Sequence, residues 1–296
     1  MKQTIFTGAA TALITPFDRF GKIDYGKFAE LIEFQIAEGI NALVVCGTTG
    51  EASTMTDEEH ETCITFAVKQ TNGRVPVIAG AGSNDTAYAV NLARHACAVG
   101  ADALLMVTPY YNKATQNGLV RMYTEIADAS DKPVILYNVP SRTGVNIEPQ
   151  TYLRLAEHPN IVGFKEANGN LSKIVDTMAL LDGKLDMYSG NDDQIVPLLS
   201  LGGKGVISVL SNLMPRRTVE ICDRFFQGDV AGAAALQLSL MPLIHALFSE
   251  VNPVPVKAAM AKMSYTENVL RSPLYPMEEE NERKLIEAMR MAGIRV

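Results

Sequence analysis

Cysteine is scarce in this sequence: Cys46, Cys63, Cys97 and Cys222 are the only four in a chain of 296 residues. They lie far apart in apolar or helical surroundings, with no CxxC pair and no metal-type spacing to the four histidines. That excludes a disulfide-stapled scaffold, points to no metal site, and leaves buried, reduced thiols. Positive charge is also in short supply. The 26 Lys and Arg are outnumbered by 33 Asp and Glu, a formal net charge of -7, which argues for solubility and against a nucleic-acid or anionic-membrane surface. No apolar run reaches the roughly 20 residues of a membrane span. The start, MKQTIFTGAATALITPF, lacks a cleavable signal pattern because Asp18 and Arg19 follow only a short apolar stretch. A cytoplasmic location is therefore expected. Nucleotide fingerprints are missing too: GAGSND (80–85) lacks the last glycine of a dinucleotide motif, and GGKG (202–205) is not a Walker A loop. There are no low-complexity stretches and no flexible linkers.

Apolar residues, by contrast, make up 47% of the chain against 20% charged, ample for one large domain with an appendage. Eight short apolar runs recur: GAATALIT (8–15), ALVVCG (42–47), VPVIAG (75–80), DALLMVT (102–108), PVILYNV (133–139), IVGFKEA (161–167), LDMYSG (185–190) and GVISVL (205–210). Between them lie helical patterns. Asp24 precedes YGKFAELIEFQIAEG with Gly39 closing it, Asp57 starts a second helix with Gly73 beyond, and others fit 85–99, 116–129, 148–157, 170–181, 192–201 and 215–227. Eight strand–helix units with nearly continuous apolar strands predict an α/β fold, a (β/α)₈ TIM barrel over 1–228. A doubly wound open sheet competes but usually carries a nucleotide fingerprint. After Gly228 the strand rhythm stops, and helices over 230–249, 253–265 and 277–292 form a C-terminal helical segment, 229–296, expected to pack on the barrel or on a neighbouring subunit.

Barrel chemistry sits at the C-terminal ends of the strands. Lys165, in IVGFKEANGN, is at such an end. A lysine flanking a strand is ordinarily a snorkelling surface charge, but simple alternation puts Ile161, Gly163, Lys165 and Ala167 on one face, where the glycine leaves room for a ligand, and Val162, Phe164 and Glu166 on the other. A desolvated lysine amine is a nucleophile for carbonyl carbons and forms Schiff bases. Tyr137, at the matching end of the preceding strand about 4.8 Å away, is placed to carry protons for that chemistry. Thr48, Thr49 and Gly50 in CGTTGEAS offer hydroxyls and backbone amides to a carboxylate or a proton relay. Arg142, in SRTG, can clamp a carboxylate. Tyr110 and Tyr111 suit either the site or an interface.

GTTGE, LYNVPSRTG, GFKEANGNL, SGND and NPVPVKAAM, in this order and along essentially the whole chain, resemble the pyruvate-dependent class I aldolases, and most closely the dihydrodipicolinate synthase family. The resemblance implies a homotetrameric barrel, a dimer of dimers, that condenses pyruvate with aspartate 4-semialdehyde in lysine and diaminopimelate biosynthesis without metal or organic cofactor. Lys165 matches the imine-forming lysine, Tyr137 the proton-transfer tyrosine and Thr48 its relay partner. Tyr111 matches a tyrosine contributed across the tight dimer interface. Thr49 matches a contact to the pyruvate carboxylate, Arg142 the residue orienting the semialdehyde, and Gly190 and Ile207 backbone positions lining the site. N-acetylneuraminate lyase and sugar-acid aldolases or dehydratases remain alternatives, as does a catalytically dead binding protein, although such a protein is expected to have lost the lysine or the tyrosine.

In some members of the family lysine binds at the dimer interface. His60, Asn84 and Tyr110 match that pocket. Asp57 stands where sensitive members often carry histidine, Ala52 replaces a hydroxyl residue, and Tyr88 takes the place of a glutamate. Weak or absent inhibition by lysine is expected.

Overall fold

All eight apolar runs become strands, which pair in chain order and close on themselves. The computed structural model describes residues 2–296. The strands are β1 (Gly8–Ala12), β2 (Ala42–Val45), β3 (Val77–Gly80), β4 (Ala103–Val107), β5 (Val134–Asn138), β6 (Ile161–Glu166), β7 (Asp186–Ser189) and β8 (Gly205–Ser208), and β8 pairs in parallel with β1. Parallel strands carry crossovers on their outer side and side chains in their interior, so both faces are apolar. Accordingly there are two cores. One lies inside the barrel and includes Ala10, Val44, Ile135, Val162 and Ile207; the larger one fills the space between barrel and helices.

The helices of the barrel are α1 (Tyr25–Ala37), α2 (Asp57–Thr71), α3 (Thr86–Ala98), α4 (Gln116–Asp128), α5 (Pro140–Thr143), α6 (Pro149–Leu155), α7 (Leu171–Leu181), α8 (Ile195–Ser200) and α9 (Pro215–Phe226). Asp24 caps α1 as expected, accepting from the Lys27 N–H at 2.9 Å. The second cap differs from expectation. Thr56, not Asp57, is the N-cap of α2, and its hydroxyl and the Glu59 carboxylate form a reciprocal capping box that leaves Asp57 in the first turn. The one-turn α5 was not expected at all; it carries Arg142 at the mouth of the barrel.

Strict alternation along β6 also fails. Val134 pairs with Ile161 but Ile135 pairs with Gly163, so Val162 is an extra residue in a β-bulge. Ile161 consequently packs outward with Phe164, while Val162 turns into the barrel. Gly163 is not a space for ligand: a Cβ there would lie 2.6 Å from the Asp186 carbonyl oxygen of β7.

Beyond α9 come α10 (Val230–Ser239), α11 (Met241–Leu247), α12 (Val254–Lys262) and α13 (Glu279–Met291). The single helix expected over 230–249 is two, bent by 51°. Pro242, in the first turn of α11, has no N–H to give to the Leu238 carbonyl, so the helix cannot run through. Among the described residues no single helix is long and apolar enough to cross a membrane. The segment is tied to the barrel by polar side chains: Gln237 accepts from the Val196 N–H at 2.8 Å and donates to the Asp193 carbonyl at 2.6 Å, and Arg271 pairs with Glu59 at 2.6 Å while donating to the carbonyls of Gly21 and Thr54.

Candidate active site

At the C-terminal ends of the strands the bulge in β6 sets the register that matters. Tyr137 on β5 is the direct partner of Lys165 on β6. The two side chains converge, with the Lys165 Nζ 4.3 Å from the centre of the Tyr137 ring, and both are buried. They line a cavity of about 180 Å³ together with Thr48, Thr49, Arg142 and Gly190. The room beside the amine is provided by Gly190, not Gly163. A Cβ at Gly190 would come within 3.1 Å of the Lys165 Cε and 2.8 Å of the Ala167 Cβ, so any side chain there would push against the amine.

A second cavity, of about 430 Å³, adjoins the first and shares Thr48, Tyr137 and Arg142 with it. The larger void lacks the lysine, which lines only the smaller one. His60, Tyr88, Tyr110 and Ala52 line the larger cavity, and Asn84 secures Tyr110 by donating to its carbonyl at 3.1 Å. His60 is buried and shares a 2.8 Å hydrogen bond with the Gly80 carbonyl; burial pushes its pKa down. The Tyr88 hydroxyl donates to Asp57 at 2.8 Å. Burial first, and the Asp57 carboxylate second, push the Tyr88 phenol up to about 12.

Tyr111 is not part of its own chain's site. It is 93% exposed, and its φ of 66° places a bulky side chain in the left-handed region. Ile207 is fully buried inside the barrel, while Val209, two residues on, reaches the cavity wall.

Several residues that hold the site were not visible as functional in the sequence pattern. Asn252, which precedes α12, donates through its amide to the Thr49 hydroxyl at 3.0 Å, and its carbonyl accepts from Arg142 at 2.9 Å. Glu166 points away from the cavity and is 1% exposed. It accepts from the Asn138 amide (2.9 and 3.1 Å), the Tyr152 hydroxyl (3.1 Å) and the Asn168 N–H (2.9 Å), and burial outweighs these contacts to hold its carboxyl at about 7. Asp192 accepts from the N–H groups of Val209 and Leu210 at 3.0 and 2.9 Å, locking the β7 loop to the β8 loop. Burial raises its pKa, against the pull of these bonds and of the Lys165 charge. The motifs GFKEANGNL, SGND and NPVPVKAAM contain all three of these residues, but no periodicity marks them.

Lys257 is the other buried lysine to consider. Its Nζ is 2.6 Å from Glu51, and both side chains are fully enclosed. Burial lowers it to about 8 against the attraction of Glu51. It lies outside the cavity lining, whereas Lys165 lines the cavity and has no ion-pair partner among the described residues. Among the described residues no group of three or more His, Cys, Asp or Glu is placed to hold a metal ion.

A closed (β/α)₈ barrel with a buried amine against a phenol, flanked by hydroxyls and a guanidinium, defines an enzyme built for small carbonyl compounds. The model of the Dihydrodipicolinate synthetase family matches residues 5–292, and the chain belongs to that family. It is 52% identical to a 4-hydroxy-tetrahydrodipicolinate synthase of Lachnoclostridium phytofermentans over 99% of this chain and 100% of the other. Among solved structures, it superposes with a TM-score of 0.96 on the chloride-inhibited dihydrodipicolinate synthase from Acinetobacter baumannii complexed with pyruvate (42% identity, 99% of this chain and 100% of that one). The TM-score is also 0.96 against the enzyme from Cyanidioschyzon merolae with lysine bound (37% identity, 99% and 100%).

Proposed function

We propose that the chain condenses pyruvate with L-aspartate 4-semialdehyde to give 4-hydroxy-tetrahydrodipicolinate, a step of lysine and diaminopimelate biosynthesis. The observation that carries the reading is the buried Lys165 Nζ set 4.3 Å over the Tyr137 ring, in a cavity that also holds Thr48, Thr49 and Arg142. In this scheme the Lys165 amine attacks the ketone carbon of pyruvate, and water leaves as the imine forms. Loss of a methyl proton gives an enamine, whose carbon attacks the aldehyde carbon of the second substrate. Tyr137 accepts and returns protons at these steps, with Thr48 as its relay. The amine of the new chain then adds to the imine carbon, closing the ring and releasing Lys165. Thr49 and the loop amides hold the carboxylate of pyruvate, Arg142 holds that of the semialdehyde, and Gly190 borders the site, with Val209 at the wall where Ile207 was expected.

Two features support a tight dimer as the working unit, and a pair of such dimers as the assembly. Tyr111 projects from the chain at 93% exposure, where it can complete a neighbour's relay. Leu171 and Val175, one turn apart on α7, are left exposed and offer a second apolar contact. Four free cysteines suit a reducing compartment such as the cytoplasm. The barrel (1–228) is proposed as the catalytic domain and 229–296 as a helical domain that braces it. The deciding assay measures pyruvate consumption with each candidate aldehyde. Turnover with aspartate 4-semialdehyde well above that with N-acetylmannosamine or sugar aldehydes supports the reading, and the reverse order defeats it.

A further inference from the structure

The C-terminal segment reaches back to the active-site loop Gly47–Glu51 at two points five residues apart in its own sequence. At the first, the Asn252 amide donates to the Thr49 hydroxyl at 3.0 Å. An N–H placed on the oxygen lone pair leaves the hydroxyl proton free to be donated to an anion in the cavity. The same residue's carbonyl accepts from Arg142 at 2.9 Å, so one residue orients both sides of the cavity. At the second point, Lys257 and Glu51 form an ion pair of 2.6 Å in which the side chains are 0% and 1% exposed. The other Glu51 carboxylate oxygen accepts the Arg271 backbone N–H at 3.1 Å. Glu51 sits at φ 56°, a conformation that non-glycine residues keep only when their surroundings hold them. Phe17 lies against both cations, 3.9 Å from the Lys257 Nζ and 4.4 Å from the Arg271 guanidinium carbon.

A buried ion pair is a poor stabiliser compared with apolar side chains of the same volume. Its distinctive contribution here is geometric, because it fixes the end of the loop whose middle carries Thr48 and Thr49. We propose that Asn252 and Lys257 are positioning residues that clamp this loop, so that the C-terminal segment sets how well the carboxylate of pyruvate is held. The proposal rests on the function given above. Neither residue touches the reacting atoms.

The test is a steady-state comparison of wild type, Asn252→Ala, Thr49→Val and the double variant, with melting temperatures alongside. Asn252→Ala removes the side-chain donor but keeps the carbonyl that holds Arg142. Its KM for pyruvate should therefore rise about three- to tenfold, the range of one neutral hydrogen bond, while the KM for the semialdehyde stays within about twofold. The double variant should be no worse than Thr49→Val, since both act through one hydroxyl. Glu51→Gln/Lys257→Met replaces the ion pair by a neutral pair of similar size so that the chain still folds, and it should raise the same KM. An unchanged pyruvate KM in Asn252→Ala, or effects that multiply in the Asn252/Thr49 double variant, would overturn the clamp. Failure of the proposed function is separately visible, because then the wild type itself would form no pyruvate adduct at Lys165 or would turn over other aldehydes in preference to aspartate 4-semialdehyde.

Discussion

Tyr137 and Lys165 are register partners on adjacent parallel strands, and the lysine's Nζ lies 4.3 Å from the centre of the tyrosine ring. This pairing exists because Val162 is bulged out of the β5–β6 ladder; without the extra residue, the side chains of β6 beyond it would change faces. The phenol is thus held over the amine by backbone register rather than by a side-chain hydrogen bond.

Tyr137→Phe keeps the ring against Lys165 and removes only the hydroxyl. Turnover at saturating pyruvate should fall on the order of a hundred- to ten-thousandfold, the usual worth of a positioned acid–base group, with folding intact. A decrease of only a few-fold would remove Tyr137 from the proton path.

Arg142 is expected to serve the aldehyde substrate. A charge-assisted contact is worth about 1.5–3 kcal/mol, so Arg142→Ala should weaken use of the semialdehyde by roughly ten- to a hundredfold. Imine formation with pyruvate should survive. A folded variant that no longer forms the imine would show that Arg142 serves pyruvate instead.

Glu166 makes stability depend on pH. Its folded pKa, about 7, is raised above the ordinary value of 4.5, so its stabilising contribution is complete below pH 4.5 and is lost as pH rises through 7. The difference corresponds to about 3 kcal/mol. Glu166→Gln cannot ionise. Measured by urea unfolding, the variant should gain stability relative to wild type between pH 4.5 and 7.5 and not beyond. A constant difference across that range would show that Glu166 does not titrate as described.

The site shows where the sequence was legible and where it was not. Strand-sized apolar runs separated by capped amphipathic segments determine a parallel barrel almost by themselves, and the strand ends then single out Lys165, Tyr137, Thr48 and Arg142. Period-two reasoning put Lys165 on the correct face only because the error at Val162 is confined to the residues before the bulge. It could not distinguish Gly163, which lets β7 approach, from Gly190, which keeps space free beside the amine. Asn252 meets Thr49, and Lys257 meets Glu51, across about 200 residues of chain, and no local pattern encodes such meetings. The break at Leu240 was legible in Pro242 and was missed because the flanking residues are strong helix formers.

Inhibition by L-lysine is expected to be weak or absent. The larger cavity offers Tyr88 where an anion would pair with the α-ammonium, and with its pKa at about 12 the phenol stays neutral. Asp57, the nearby carboxylate, is already engaged by the Tyr88 hydroxyl at 2.8 Å. A lost charge-assisted contact of about 1.5–3 kcal/mol is one to two decades of affinity, and a cation–π contact to Tyr88 returns only about 0.5–2 kcal/mol. A dose–response curve with half-inhibition at submillimolar lysine would contradict this.

The central claim is that Lys165, and no other lysine, forms a covalent imine with pyruvate. Borohydride reduction in the presence of pyruvate, followed by peptide mass spectrometry, tests it most directly. The account predicts a carboxyethyl group on the peptide containing Lys165, formed without the second substrate. A reduced adduct on Lys113, Lys173 or Lys257 instead, or no adduct on a folded protein, would contradict it.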